Sequence, residues 1–319
     1  MNKTVQKARI FFLLMFSLGS VFNSCHDSIT AERNRIQLPE QKSVKLNSYG
    51  TINAREINEC SGMTKSRKQP NVYWLHNDSG DKSRIFAINQ QGELLTPVNI
   101  PDYQGIQIAN ASNIDWEDIT TDDSGNLIIG DTGNNDNRRQ DLAIYLLPEP
   151  DPGSAQEALE TKKIRFYYPD QHDFPPAKRN FDSEALFWAN GKIYLLTKHR
   201  SDDDTKLYRF DSLLDFTSNP LTLLDTFNIH GQVTAADASP DAKKLAVLTY
   251  EGIWLFEVAS GDDYFHGNIS WLPIQAGQCE SICFDGDILM VSNEGGKLYQ
   301  VPIKDLLPLK NFMPNTKAN

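Results

Sequence analysis

Strand-like apolar runs follow one another along this chain in a fixed order, broken by polar turns. An apolar-aromatic pair sits in such a run five times: Ile85-Phe86, Ile144-Tyr145, Leu207-Tyr208, Ile253-Trp254 and Leu298-Tyr299. Upstream of each pair lies a β-rich run at 72–75, 127–129, 193–196, 245–248 and 288–291. Upstream again comes a third segment: Ser61-Gly62-Met63, Glu117-Asp118-Ile119, Glu184-Ala185-Leu186, Thr234-Ala235-Ala236 and Glu280-Ser281-Ile282. The turns Asp123-Ser124-Gly125, Asn190-Gly191, Pro240-Asp241 and Asp285-Gly286 have hairpin chemistry. A fourth β-like stretch follows the aromatic pair, as in 163–167 and 221–224.

Four antiparallel strands per unit make a propeller blade, so the expected fold is all-β, a five-bladed β-propeller over 43–303. The fifth unit lacks its fourth strand, and the otherwise partnerless run 44–52 is expected to supply it, closing the ring and removing open sheet edges. Six blades remain the alternative, with the extra one hidden between Pro148 and Asp182. A β-sandwich with look-alike strands would not repeat these features in order.

The first 24 residues read as a secretory signal: Lys3, Lys7 and Arg9 with no acid, then a short apolar run. The run ends in Phe22-Asn23-Ser24-Cys25, which resembles a bacterial lipoprotein signal with Cys25 as the lipidated residue. Residues 25–42 then form an anchor and polar tether, and 304–319 a C-terminal tail. The expected location is the bacterial cell envelope, lipid-anchored at the outer membrane, with the leaflet left open.

The 319 residues carry a net charge of -11, which becomes -14 once the basic signal is removed. Such acidity argues against a nucleic-acid binder and for cations or cationic partners. With 39% hydrophobic and 23% charged residues the chain has ample core material. No Gly-x-Ser-x-Gly elbow, P-loop or dinucleotide fingerprint is present, which excludes the commonest serine-hydrolase and nucleotide-binding readings.

In a blade, the start of the innermost strand and the end of the second share one face. Both ends are polar here, and they converge on the mouth of the central channel. Glu117, Glu184, Glu280 and Asp131 are the candidate metal ligands. Crowded carboxylates in a partly dry channel must share a proton or a cation. All-oxygen donors point to a hard ion, chiefly calcium, and no His or Cys pair has zinc spacing. An EF-hand from Asp131 fails, because its twelfth position is Leu142. Backbone bonding between blades or pairing with Arg and Lys is the structural alternative for each acid.

His76, Asp78, Arg138 and Lys198, with Arg139 and Arg200 nearby, are the candidate ligand-binding residues, and Glu184 and His199 the candidate catalytic pair. Cys60 and Cys279 occupy matching positions in units one and five. A bridge between them stays open, since matching positions on adjacent inner strands can lie too far apart. Cys283 reads as core.

The phrases Trp74-Leu75-His76-Asn77-Asp78-Ser79-Gly80, Asp115-Trp116-Glu117-Asp118-Ile119, Gly130-Asp131-Thr132-Gly133-Asn134-Asn135 and Asp182-Ser183-Glu184-Ala185-Leu186 resemble those of a family of secreted bacterial β-propeller lipoproteins, over roughly 55–303. Asn134 stands where that pattern has a second acid. More distantly the chain is similar in architecture and axial acids to calcium-binding propeller hydrolases of the gluconolactonase, paraoxonase and phytase types, a likeness that implies no substrate. Two functions are open. One is a lipid-anchored propeller binding calcium and a small polar or anionic ligand, with metal-dependent ester or phosphoester hydrolysis as its enzymatic form. The other is a non-catalytic scaffold with a protein- or glycan-binding face.

Overall fold

The computed structural model describes residues 38–309. The expected signal, Cys25 and most of the tether lie outside them. The described residues form an all-β propeller with no α-helix. Its strands group into five antiparallel meanders, each with a buried inner strand: Cys60–Lys65, Trp116–Thr121, Asp182–Ala189, Val233–Ala238 and Cys279–Asp285. Each inner strand lies beside the next, and the fifth returns to the first, so the five surround one axis.

The stretch from Pro148 to Asp182 serves blades already present. Lys162–Tyr167 pairs with Ala143–Pro148 as the outer strand of the second blade, and Glu157–Leu159 runs parallel to Ile106–Ala109 of the first. Lys162–Tyr167 also pairs in parallel with Ser218–Asn228 of the third blade, joining two meanders into one eight-stranded sheet.

Ring closure comes from the N-terminal side. Gly50–Thr51 pairs antiparallel with Lys297–Pro302, and the Ile52 amide donates to the Gly296 carbonyl at 2.7 Å. The preceding Val44–Lys45 pairs in parallel with Ile269–Gln275 of the fourth blade. After Val301 the chain makes one 3-10 turn at Ile303–Asp305, and Leu307–Pro308 then adds to the edge of Ile269–Gln275.

The cores lie between blades. One cluster joins Trp74, Ile85 and Ile106 of the first blade to Trp116, Ile129 and Tyr145 of the second. Others join the second to the third, the fourth to the fifth and the fifth to the first. Between the third and fourth the contact is aromatic: Phe227 lies 5.6 Å from Trp254 and 5.0 Å from Phe265. Each such buried side chain stabilises by about 1.5–3 kcal/mol, which explains why the apolar-aromatic pair recurs once per unit.

Candidate functional site

The inner strands share a local irregularity. In all five, the pairing with the second strand slips by one residue near its start: between Cys60 and Gly62, Trp116 and Ile119, Ser183 and Ala185, Val233 and Ala235, Cys279 and Ser281. The residues caught in these bulges are Ser61, Glu117 with Asp118, Glu184, Thr234 and Glu280. A bulge bends the strand and re-aims a side chain. Repeated five times, it sets a ring of polar residues at one end of the channel. Two of the ring members also tie neighbouring blades: Ser61 Oγ donates to the Glu117 carbonyl at 2.9 Å and Thr234 Oγ1 to the Cys279 carbonyl at 2.8 Å.

Around Glu117 four other carboxylates gather. Oxygens of Asp78, Asp115 and Glu117 lie within 4.8 Å of one another, as do those of Glu117, Asp182 and Glu184. These clusters could hold a metal ion. Oxygen donors around one calcium at 2.3–2.6 Å sit at most about 5 Å apart, so the spacing fits.

The two clusters are not equivalent, because their charges are balanced differently. Asp182 is fully buried and saturated: it accepts the Asn134 amide at 2.6 Å and ion-pairs with Arg200 at 2.6 Å. Glu184, 5% exposed, pairs with Lys198 and takes a 3.2 Å contact from Arg200. Lys198 Nζ also donates to the Tyr250 hydroxyl at 3.1 Å, and that hydroxyl donates to Glu280 at 3.0 Å. By contrast, within the described residues the Asp78 carboxylate accepts the adjacent Ser79 amide at 2.5 Å and no other bond. No hydrogen bond or ion pair within the described residues reaches the carboxylates of Asp115 or Glu117, although Glu117 is only 6% exposed.

Titration follows from this imbalance. Burial, then the charges of Glu184, Asp182, Asp78 and Asp115, hold the Glu117 carboxyl well above the usual carboxylate range. Burial and the charges of Asp78 and Asp182 push Asp115 up to about 6. Burial and Asp182 push Glu184 up to about 8 even against Lys198 and Arg200. Glu280 rises to about 7 through burial and the Glu294 charge. Burial works to lower Lys198, but Glu184 outweighs it and keeps the ammonium charged.

The loop that crosses this cluster leaves no room for a side chain. A Cβ on Gly133 would lie 2.3 Å from Glu117 Oε1 and 2.4 Å from the Asp115 carboxyl. Arg139 fastens the loop, reaching Asp131 Oδ1 and the Gly133 carbonyl at 2.9 Å each.

The other residues singled out from the sequence take varied places. Asp131 is committed to Arg139 and accepts the Asp115 amide at 3.1 Å, so it stands behind the carboxylate clusters. Glu280 reaches them through Tyr250 and Lys198. Arg138 is exposed. His76 is fully buried, 5.5 Å edge-on to Trp116, and burial lowers it to about 4, which keeps it neutral. His199 is buried with Nδ1 2.5 Å from Asp202 Oδ1, and burial lowers its pKa too. Cys60, Cys279 and Cys283 are all free and buried, so the bridge left open above is absent.

Asp115, Asp182 and Tyr250 lie on strand ends that the sequence places at the mouth, but they are not among the residues singled out there. For the two acids a signal existed: Asp115 and Glu117, like Asp182 and Glu184, are two apart at the head of an inner strand, and alternate residues share a face. Tyr250 is marked only by its place at the end of a second strand. Other axial acids are structural: Asp118 Oδ2 accepts the Leu186 amide of the third blade at 2.9 Å and faces the Ala236 amide of the fourth at 3.4 Å.

No family model matches the chain, and no curated protein matches it. Solved structures do. The chain is similar to a gluconolactonase from Xanthomonas campestris at 10% identity and a TM-score of 0.43, over 84% of this chain and 99% of that one. It is similar to a putative gluconolactonase at the same identity and score, over 86% of this chain and 96% of that one. At such values the likeness carries no argument about activity, and the resemblance to a lipoprotein family rests on its motifs alone.

Proposed function

We propose that this protein is an extracytoplasmic, lipid-anchored propeller that binds calcium on Asp78, Asp115 and Glu117 and recognises a small polar or anionic ligand there. One observation carries the reading: Glu117 is buried among four other carboxylates without a neutralising partner in the described residues, while Lys198 and Arg200 are spent on Glu184 and Asp182. An unpaired buried charge is costly, so the group is neutralised by a proton or by an ion. The all-oxygen donor set and the preformed spacing favour calcium, whose flexible shell accepts irregular sites, over magnesium. The Gly133 cradle keeps the Asp115 and Glu117 oxygens clear of any side chain from the crossing loop.

Asp78, Asp115 and Glu117 would hold the ion, which when bound would polarise an ester or phosphoester oxygen. The chain's own groups then have distinct parts. Lys198 and Arg200 hold Glu184 in place, and Tyr250 links that pair to Glu280. Glu184, with its pKa raised to about 8, is the group poised to exchange a proton in the enzymatic form of this reading. His199 faces Asp202, so it is the weaker candidate base.

Thermal unfolding with calcium and with chelator, alongside bound-metal analysis, tests this. A ligand that binds only the native state at a hundredfold over its Kd stabilises by about 2.7 kcal/mol. For a domain of this size that is roughly 5–10 °C in Tm. Glu117→Gln should abolish the shift and raise the Tm in chelator, since it removes the cost of keeping a buried carboxyl protonated at neutral pH. A wild-type Tm that ignores calcium, with no metal bound, would return the acids to a structural role and favour the scaffold.

A further inference from the structure

We propose that the opposite end of the central channel is a second binding site, for a small organic oxyanion such as a hydroxycarboxylate or a sulfate or phosphate monoester. The inner strands begin at the carboxylate mouth and end about five residues later, roughly 16 Å away. There, a cavity of about 350 Å³ opens between the strand ends of four blades. Its walls include Thr64, Lys65 and Arg67 of the first blade, Thr121 of the second, Asp237 of the fourth and Phe284 of the fifth. The volume suits a small molecule, and one apolar wall with convergent polar groups is the usual make-up of a ligand pocket.

The chemistry of the walls is that of a donor set. Arg67 uses Nη1 on Asp123, an exposed residue, which leaves Nε and Nη2 without a partner in the described residues. Lys65 spends one bond on Asp285. The Thr121 hydroxyl donates to the Lys65 carbonyl at 3.2 Å and accepts from Thr64 Oγ1 at 3.2 Å, so both protons are spent within the wall and the donors left to a ligand are those of Arg67 and Lys65. An arginine fork beside an ammonium suits a planar or tetrahedral oxyanion. Among the lining residues two bases, Lys65 and Arg67, face one acid, Asp237, whereas the mouth is lined mainly by acids.

Asp237 gives the site its condition. It is half-buried, accepts the Phe284 amide at 2.8 Å, and burial pushes its carboxyl up to about 7. Within the described residues the groups acting electrostatically on it are Arg67 of the first blade, Asp118 of the second and the buried Cys283 thiol of the fifth. Protonated, Asp237 donates to an anion; ionised, it repels one. The site should therefore fill below pH 7 and empty above it.

Calorimetric titration of the full chain in chelator with malate and with inorganic sulfate tests this, because neither probe changes charge between pH 6 and pH 8. Chelator keeps the carboxylate mouth free of metal, so failure here leaves the calcium reading untouched. Saturable binding of one probe per chain at pH 6 is expected, weakened at least tenfold at pH 8 and at least tenfold by Arg67→Gln. Asp237→Asn should bind at pH 8 as it does at pH 6. Absence of saturable binding of either probe, or affinity indifferent to Arg67→Gln, overturns the proposal. If Arg67→Gln is found unfolded, the Asp237→Asn comparison decides: a variant that keeps the wild-type pH dependence rejects the site.

Discussion

Gly133 is glycine because two carboxylates occupy the space its side chain would take. Gly133→Ala must displace Asp115 or Glu117, with loop and backbone shifts costing about 1–3 kcal/mol. It should lower the Tm and also abolish the calcium response, which a merely structural glycine would leave intact; a calcium titration followed by melting separates the two. The same scale explains why acids of one type take different roles. Asp118 meets backbone amides of two other blades and is held as a fastening. The carboxyl of Glu117, its neighbour in sequence, has no hydrogen bond within the described residues, and the charges that act on it most are those of other acids.

At the scale of the element, the bulge near the start of each inner strand matters more than the strand's composition. It lets a strand that is otherwise buried end to end present one polar residue to the axis without breaking the apolar alternation beyond it. The closing strand carries the other consequence. Gly50–Thr51 and buried Ile52 cover the edge of Lys297–Pro302 with several backbone bonds. Burial of Ile52 and three such bonds together contribute a few kcal/mol. A chain starting at residue 53 should melt roughly 5–10 °C below one starting at residue 38, and it should scatter light as the bared edge associates.

The whole molecule carries its acidity unevenly, with the mouth holding carboxyls whose pKa values are raised. A raised acid contributes stability that is fully present below its unfolded pKa near 4 and is lost as pH rises through its folded value. Asp115 at about 6, Glu280 at about 7 and Glu184 at about 8 define the window. In chelator, the Tm should therefore fall as pH climbs from about 4.5 to 8. Buried His76 and His199, with lowered pKa values, act with the opposite sign up to about pH 6.5, so the fall is steepest from there to 8; acids held low by partners, such as Asp211 with Arg209, act below the window. Calcium binds the ionised form, so saturating calcium should flatten the decline, and melting curves at pH 5, 6.5 and 8 check it.

The sequence by itself determined the propeller and the order of its strands, because hairpin turns and period-two burial are local and each unit repeats them. It indicated the closing strand as well, although only Gly50–Thr51 of the run 44–52 completes the fifth blade, while Val44–Lys45 goes to the fourth. It also placed Glu117 and Glu184 at the mouth, because strand direction alone fixes which end of each unit they occupy. What only the tertiary structure decided is partnership. Asp131, alike in type to Asp115, is claimed by Arg139 within its own loop, and His76 is turned into the core against Trp116. Lys198 and Arg200 meet Glu184 and Asp182 across the same blade, while Tyr250 arrives from the next. A residue's charge balance depends on atoms far away in sequence, and in a ring of blades those atoms come together only once the ring is closed.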